Sequence, residues 1–272
     1  METLRLGTES FATNMLNTNT QLNKTHKLYK GEVQLVFNDA RHRYQVDGKE
    51  KVGVTTALSV INKPALLQWA VNEAINYLKN EFKAGQGYDE LELNNLLENA
   101  KKAHRVRKQT AADFGTLAHK WIEQYIKGEN PEPPVNKNLK KATEVFIKWV
   151  KDNNVVFTHC EQPVYSRKYD YCGTVDFICE IDGKSFIGDL KTSKGIYSEY
   201  HMQLAAYRIA LEEEHEKSYA GTLIVRIPKE EDDNVEIAYI NNYRENARAF
   251  LYALGLYKTT TLLKNFAKGG AK

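Results

Sequence analysis

The sequence predicts an α/β (α+β) fold, a mixed central β-sheet flanked by helices, on three observations. Residues 173–181 and 184–191 are two alternating, β-branched-rich runs on either side of Asp182-Gly183, a dipeptide suited to a two-residue type I′ turn. Further strand-like runs follow at 155–166, 221–227 and 235–240. Between and before them lie helical periods long enough to cover both faces of a sheet.

In chain order, residues 1–28 are rich in Thr and Asn with little apolar periodicity and read as a flexible arm. A hairpin is expected at 32–37 and 42–46, then helices over 64–82, 91–107 and 110–127. A helix at 137–152 precedes the 155–166 strand and the 173–191 hairpin. A helix over 198–214, the last two strands, and a helix from 242 to 256 complete the order. Residues 264–272, with Gly269-Gly270, read as a frayed tail. No Gly/Pro/Ser-rich linker divides the chain, so residues 29–263 are expected to form one domain, with a hairpin and helical part at 29–108 and a core at 109–263.

Composition excludes more than it identifies. The 38 basic and 35 acidic residues leave a net charge of +3, too small to announce a nucleic-acid binder. No stretch of 18 apolar residues and no secretory pattern is present, which argues against a membrane role and for a cytoplasmic setting. Cys160, Cys172 and Cys179 are an odd set without CxxC spacing, as expected of reduced thiols.

The central hairpin carries the chemistry. Its turn sets a register in which Asp176 falls opposite Asp189 and Thr174 opposite Lys191. Thr174, Asp176, Ile178 and Glu180 then share a face with Ser185, Ile187, Asp189 and Lys191, while Val175, Phe177, Cys179, Ile181, Phe186 and Leu190 face the core. Carboxylates about 5 Å apart across a strand pair repel unless a positive charge lies between them, which points to a divalent cation. Simple solvation of an exposed charged face, with Lys191 neutralising one Asp, is the plainer reading of the same residues.

GTVD at 173–176, GDLK at 188–191 and Gln203-x-x-x-Tyr207 resemble the PD-(D/E)XK nucleases, specifically their RecB-like exonuclease branch. GTLAHKWIE at 115–123 is similar to that branch's G-x-x-x-H-x-x-x-E helix. VTTALSVINKP at 54–64, followed by Trp69, resembles the opening segment of phage and mitochondrial-maintenance-type members. The chain departs from the pattern at the eponymous proline, where Val175 stands.

The resemblance implies a restriction-endonuclease-like core with a helical N-terminal elaboration. It implies that His119, Asp176, Asp189 and the Leu190 carbonyl hold Mg²⁺ or Mn²⁺, while Lys191 positions or activates the attacking water. Glu123, one helical turn beyond His119, is open to three roles: orienting His119, touching a second metal, or pairing with Lys120 or Lys127. Gln203 and Tyr207 either contact phosphate or support the metal loop, or else are a solvent-facing and a core residue. Thr192 and Ser193 either offer donors to phosphate or only begin a loop.

Lys101, Arg105 and Lys108 form a basic stripe at helical spacing that could lead a phosphate backbone inward, or could be a solvated helix face. Trp69, Trp121 and Tyr125 are core residues or base-stacking rings. The expected activity is metal-dependent DNA hydrolysis, by an exonuclease on single-stranded or frayed ends. A structure-selective endonuclease and a non-cleaving DNA-binding or inhibitor protein are the alternatives. DNA is the expected partner, with a recombinase, helicase or single-strand-binding protein as further possibilities, in a bacterial or phage-infected cell. No iron–sulfur cluster is expected, because the cysteines that would bracket the core are missing.

Overall fold

The computed structural model describes residues 23–229 and 234–269. Four antiparallel strands open it: β1 (Asn23–Leu28), β2 (Val33–Asn38), β3 (Arg43–Val46) and β4 (Lys49–Gly53). Alternation explains the middle pair, since Val33, Leu35, Tyr44 and Val46 are buried in a small cluster with Leu28, Tyr165 and Cys172. β1 corrects the expected arm over its last six residues. Only Leu28 of that polar strand is buried, so periodicity carried no signal there; residues 1–22 lie outside the described residues. β4 was also unforeseen, although Asp47-Gly48, both with positive φ, make the same kind of tight turn as Asp182-Gly183.

A short helix α1 (Val54–Ala57) and a 3₁₀ turn lead to α2 (Pro64–Glu81). The two helices expected at 91–107 and 110–127 are a single one, α3 (Glu90–Ile126). It starts at a reciprocal cap between Asp89 and Glu92 and meets no proline, so its polar middle does not end it. No residue of α2 is buried, and α2 packs chiefly against α3. Burial in α3 is concentrated late, at Ala118, Trp121 and Ile122.

After α4 (Lys137–Asp152) come β5 (Val156–Ser166), β6 (Tyr171–Ile181), β7 (Lys184–Lys191), α5 (Ser198–His215), β8 (Gly221–Arg226), β9 (Glu236–Ile240) and α6 (Tyr243–Gly269). The strands make one nine-stranded mixed sheet in the order β1-β2-β3-β4-β6-β7-β8-β9, with β5 on the other edge of β6. This is the mixed α/β sheet flanked by helices that the sequence predicts. α6 corrects the expected end of the last helix and most of the frayed tail, because nothing between residues 256 and 269 breaks it; residues 270–272 lie outside the described residues.

Both faces of the sheet centre are covered. Phe177, Cys179, Leu190, Leu223 and Val225 pack under α3 and α4 with Trp121, Phe146 and Trp149. Ile178, Ile187 and Ile224 pack under α5 and α6 with Leu204, Tyr207 and Phe250. The face assigned to Asp176 and Asp189 is therefore not an open charged surface, and the carboxylates have to be accommodated inside the layer.

Candidate functional site

A fork in the sheet accommodates them. β6 pairs with β5 over almost its whole length, but its other edge is shared: β7 takes Phe177–Ile181 and β4 takes Tyr171 and Cys172. The predicted hairpin register holds from Ile181 opposite Lys184 to Phe177 opposite Gly188, across a turn in which Asp182 and Gly183 both have positive φ. There it stops. Beyond Gly188, among the described residues, β7 pairs only with β8, in parallel, with Asp189 opposite Ile224 and Lys191 opposite Arg226. Asp176 and Asp189 are thus not a ladder pair, and Thr174 bonds Tyr44 at 3.0 Å rather than facing Lys191.

Asp176 Oδ2 accepts the Leu190 N–H at 2.7 Å, so a side chain satisfies a backbone donor where the strands part. Asp189 is fully buried. Its Oδ2 lies 2.5 Å from Lys191 Nζ without hydrogen-bond alignment, and its Oδ1 meets no donor. Burial pushes the Asp189 carboxyl up, with Lys191 pulling it down and Asp176 adding to the rise. Burial opposes the charge on Lys191, but Asp189 and then Asp176 outweigh it, so its pKa is raised and it stays an ammonium. The Tyr200 ring lies 5.1 Å from that ammonium.

Three glycines make this approach of elements sterically feasible. A Cβ on Gly115 would sit 2.9 Å from Thr192 Oγ1, so glycine lets α3 lie against the end of β7. That brings His119, one turn on, to 3.8 Å between Nδ1 and Asp176 Oδ2. A Cβ on Gly173 would sit 2.5 Å from the Tyr207 ring, and one on Gly188 2.0 Å from the Phe177 ring.

The remaining predicted residues lie at different distances from this cluster. Glu123 pairs with Lys127 at 2.5 Å, the simplest of its three readings. Gln203 donates to Tyr207 Oη at 2.7 Å, and both are buried; Gln203 lines a cavity together with Lys191, and Tyr207, packed beneath Gly173, feels the charges of Asp189 and Asp176. Ser193 Oγ donates to the Gly195 carbonyl and Thr192 abuts Gly115, so both shape the loop after Lys191. Lys101, Arg105 and Lys108 are exposed, and Lys101 pairs with Glu98. A cavity of about 1140 Å³ between α2, α3, Asn136 and Lys229 is lined instead by Lys79, Lys102 and Arg107. Trp121 is core, stacked on Tyr125, with its indole N–H on the Glu132 carbonyl.

Two residues at the fork were missed. Arg226 is nearly buried and donates to the carbonyls of Ser193, Lys194 and Asn234 and to Glu236, tying down the loop after Lys191. Its signal was an arginine inside the apolar run 221–227. Glu161 lies on β5 between Cys160, paired with Phe177, and Gln162, paired with Val175, which sets it across from Asp176. Its backbone is left-handed, with φ 52°. Burial first, then Asp176 and Glu123, push its carboxyl up to about 7, while Lys24 and Lys127 pull it down.

A raised carboxylic pKa makes the folded state hold its proton longer than the unfolded state, so stability falls as pH rises from about 4.5 to 7. Glu161→Gln is expected to flatten that decline and to gain roughly 1 kcal/mol over the parent near pH 8 in urea unfolding of the metal-free protein. Superimposable pH profiles would show that Glu161 is ionised at no cost.

No protein-family model and no curated protein matches the chain. Among solved structures, the protein SSO0001 is similar with a TM-score of 0.37 and 15% identity over 72% of this chain and 86% of that one. A protein from Eubacterium rectale, provisionally named an exonuclease, has a TM-score of 0.37 and 12% identity over 52% of this chain and 65% of that one. Likeness of this degree carries no argument about what the chain does; the site has to be judged on its own groups. No helix among the described residues is long and apolar enough to cross a membrane.

The chemistry of the donor set suits a hard divalent cation: two carboxylates, a neighbouring imidazole and a buried carboxylate oxygen with no partner. Among the described residues, no three His, Cys, Asp or Glu side chains converge tightly enough to cage one as they stand. Lys191 occupies one side of Asp189, and Asp176 is engaged by Leu190.

Proposed function

We propose that the protein is a Mg²⁺- or Mn²⁺-dependent nuclease that hydrolyses DNA phosphodiester bonds, acting as an exonuclease on single-stranded or frayed ends. The observation that carries this reading is the buried Asp189 carboxylate with an unpartnered oxygen, set beside Asp176 and Lys191 where β6 and β7 diverge. A buried carboxylate left in this state costs stability, and a cation is the partner that would satisfy it. The resemblance to PD-(D/E)XK nucleases supports the same reading.

His119, Asp176, Asp189 and the Leu190 carbonyl would hold the cation, which supplies polarisation of a phosphoryl oxygen and a lowered pKa for water. Lys191 keeps its proton and places a compact positive charge where negative charge grows on the phosphorus oxygens. Asp189 and the Tyr200 ring fix that ammonium in place. Arg226 and Ser193 hold the following loop, so the lysine is presented from a stiff strand end. The cavity between α2 and α3 carries Lys79, Lys102 and Arg107 beside Glu73, which pairs with Arg107, and Asp113; a strand entering alongside α3 would meet its basic side chains.

The test is digestion of single- and double-stranded DNA labelled separately at each end, with Mg²⁺ or Mn²⁺. Progressive release from one label identifies an exonuclease and its polarity. Internal cuts identify the endonuclease, and DNA bound but intact at every salt concentration identifies a binding protein.

A further inference from the structure

A second cavity opens beside Lys191, between the segment that follows β4 and the first turns of α5, with a volume of about 800 Å³. That is within the range of small-molecule sites, roughly 300–1,000 Å³. Leu58, Val60 and Ile61 give its lining an apolar part, and Tyr200 and Gln203 line it from α5. Ser59 and Asn62 bring a hydroxyl and an amide to the lining. Lys63 is held there by Glu199 at 2.8 Å, so the one lining carboxylate is already neutralised. Lys191 belongs to this cavity and also touches Asp189.

We propose that this cavity is a nucleoside subsite: it takes the base and sugar of the nucleotide adjoining the phosphate that lies at Asp176, Asp189 and Lys191. Three features select that ligand. The side chains of Leu58, Val60 and Ile61 and the Tyr200 ring suit the faces of a planar base. The hydroxyl and amide suit its polar edges or the sugar. Because Lys191 lines the slot and also touches Asp189, the slot adjoins the carboxylates. The inference rests on the nuclease reading for the occupant of the neighbouring site, but binding in the slot does not require cleavage.

The experiment uses the full chain and a short single-stranded oligonucleotide carrying 5-iodouracil, irradiated in EDTA so that no cleavage occurs, with the cross-linked peptide mapped by mass spectrometry. Cross-links are expected in residues 58–63 or 198–203. Ser59 is exposed, so Ser59→Trp fills the slot without burying a new group in the core. It is expected to weaken oligonucleotide binding roughly tenfold, while circular dichroism and the melting temperature stay unchanged. Cross-links confined to other segments, or unaltered affinity in a folded Ser59→Trp protein, would overturn the subsite. A wild-type protein that cross-links in the slot but never cuts DNA under any metal would sink the nuclease reading and leave the subsite standing. One that cuts but cross-links elsewhere would do the reverse.

Discussion

Lys191→Ala is expected to lower metal-dependent cleavage by about 10²–10³-fold while the protein remains folded and still binds Mn²⁺. The effect is large because the ammonium lies in a nearly enclosed position, 2.5 Å from a carboxylate buried on all sides, where a charge acts with little screening by water. No neighbour replaces it. Arg226, across β7 and β8, is turned into carbonyls of the following loop and Glu236. Single-turnover rates at saturating DNA are the measurement, because they separate the chemical step from binding and release. A loss seen only in KM would assign Lys191 to holding the strand, and an unchanged rate would remove it from the chemistry.

The second large effect is on folding. Gly188→Ala places a methyl group 2.0 Å from a carbon of the Phe177 ring at the last paired position before the strands part. Phe177 is fully buried under α3 and α4, so the ring has nowhere to retreat. The expected cost is about 3 kcal/mol or more, at the upper end of overpacking effects, and activity should fall with the folded fraction. Gly255→Ala is the matched control. It lies inside α6 with nothing within 4 Å of its would-be Cβ, and it should gain roughly 0.5–1 kcal/mol from helix propensity. Equal stabilities for the two variants in urea unfolding would show that the contact between Gly188 and Phe177 does not constrain the fork.

These two positions also show where a sequence reading succeeds and where it stops. The hairpin register followed from Asp182-Gly183 because a two-residue turn and a period of two leave little freedom. The same arithmetic failed at Asp176 and Asp189, because the ladder between β6 and β7 ends at Gly188 and β4 takes the far end of that edge of β6, at Tyr171 and Cys172. The helix starts expected at 64 and 137 hold, and the structure shows local chemistry at both, a proline in the first turn and an Asn136 side chain that accepts the Leu139 N–H. The break expected between two helices inside α3 had no such support. Asp176, Asp189, Lys191 and His119 were legible as motif spacings, and the structure places all four around the fork. Glu161 and Arg226 were not, since each meets the site only through strand pairings distant in sequence. Lys102 and Arg107, rather than Lys101, Arg105 and Lys108, line the cavity beside α3, a choice of helix face that charge spacing alone leaves open.

The most direct test of the site is calorimetric titration of the metal-free protein with Mn²⁺, beside Asp189→Asn. Saturable binding by the parent chain is expected, with a rise in its melting temperature with Mn²⁺ concentration, worth about 2.7 kcal/mol at 100 times Kd. Asp189→Asn should lose most of both. No binding by the parent, or equal binding by Asp189→Asn, would contradict a cation site at the divergence of β6 and β7.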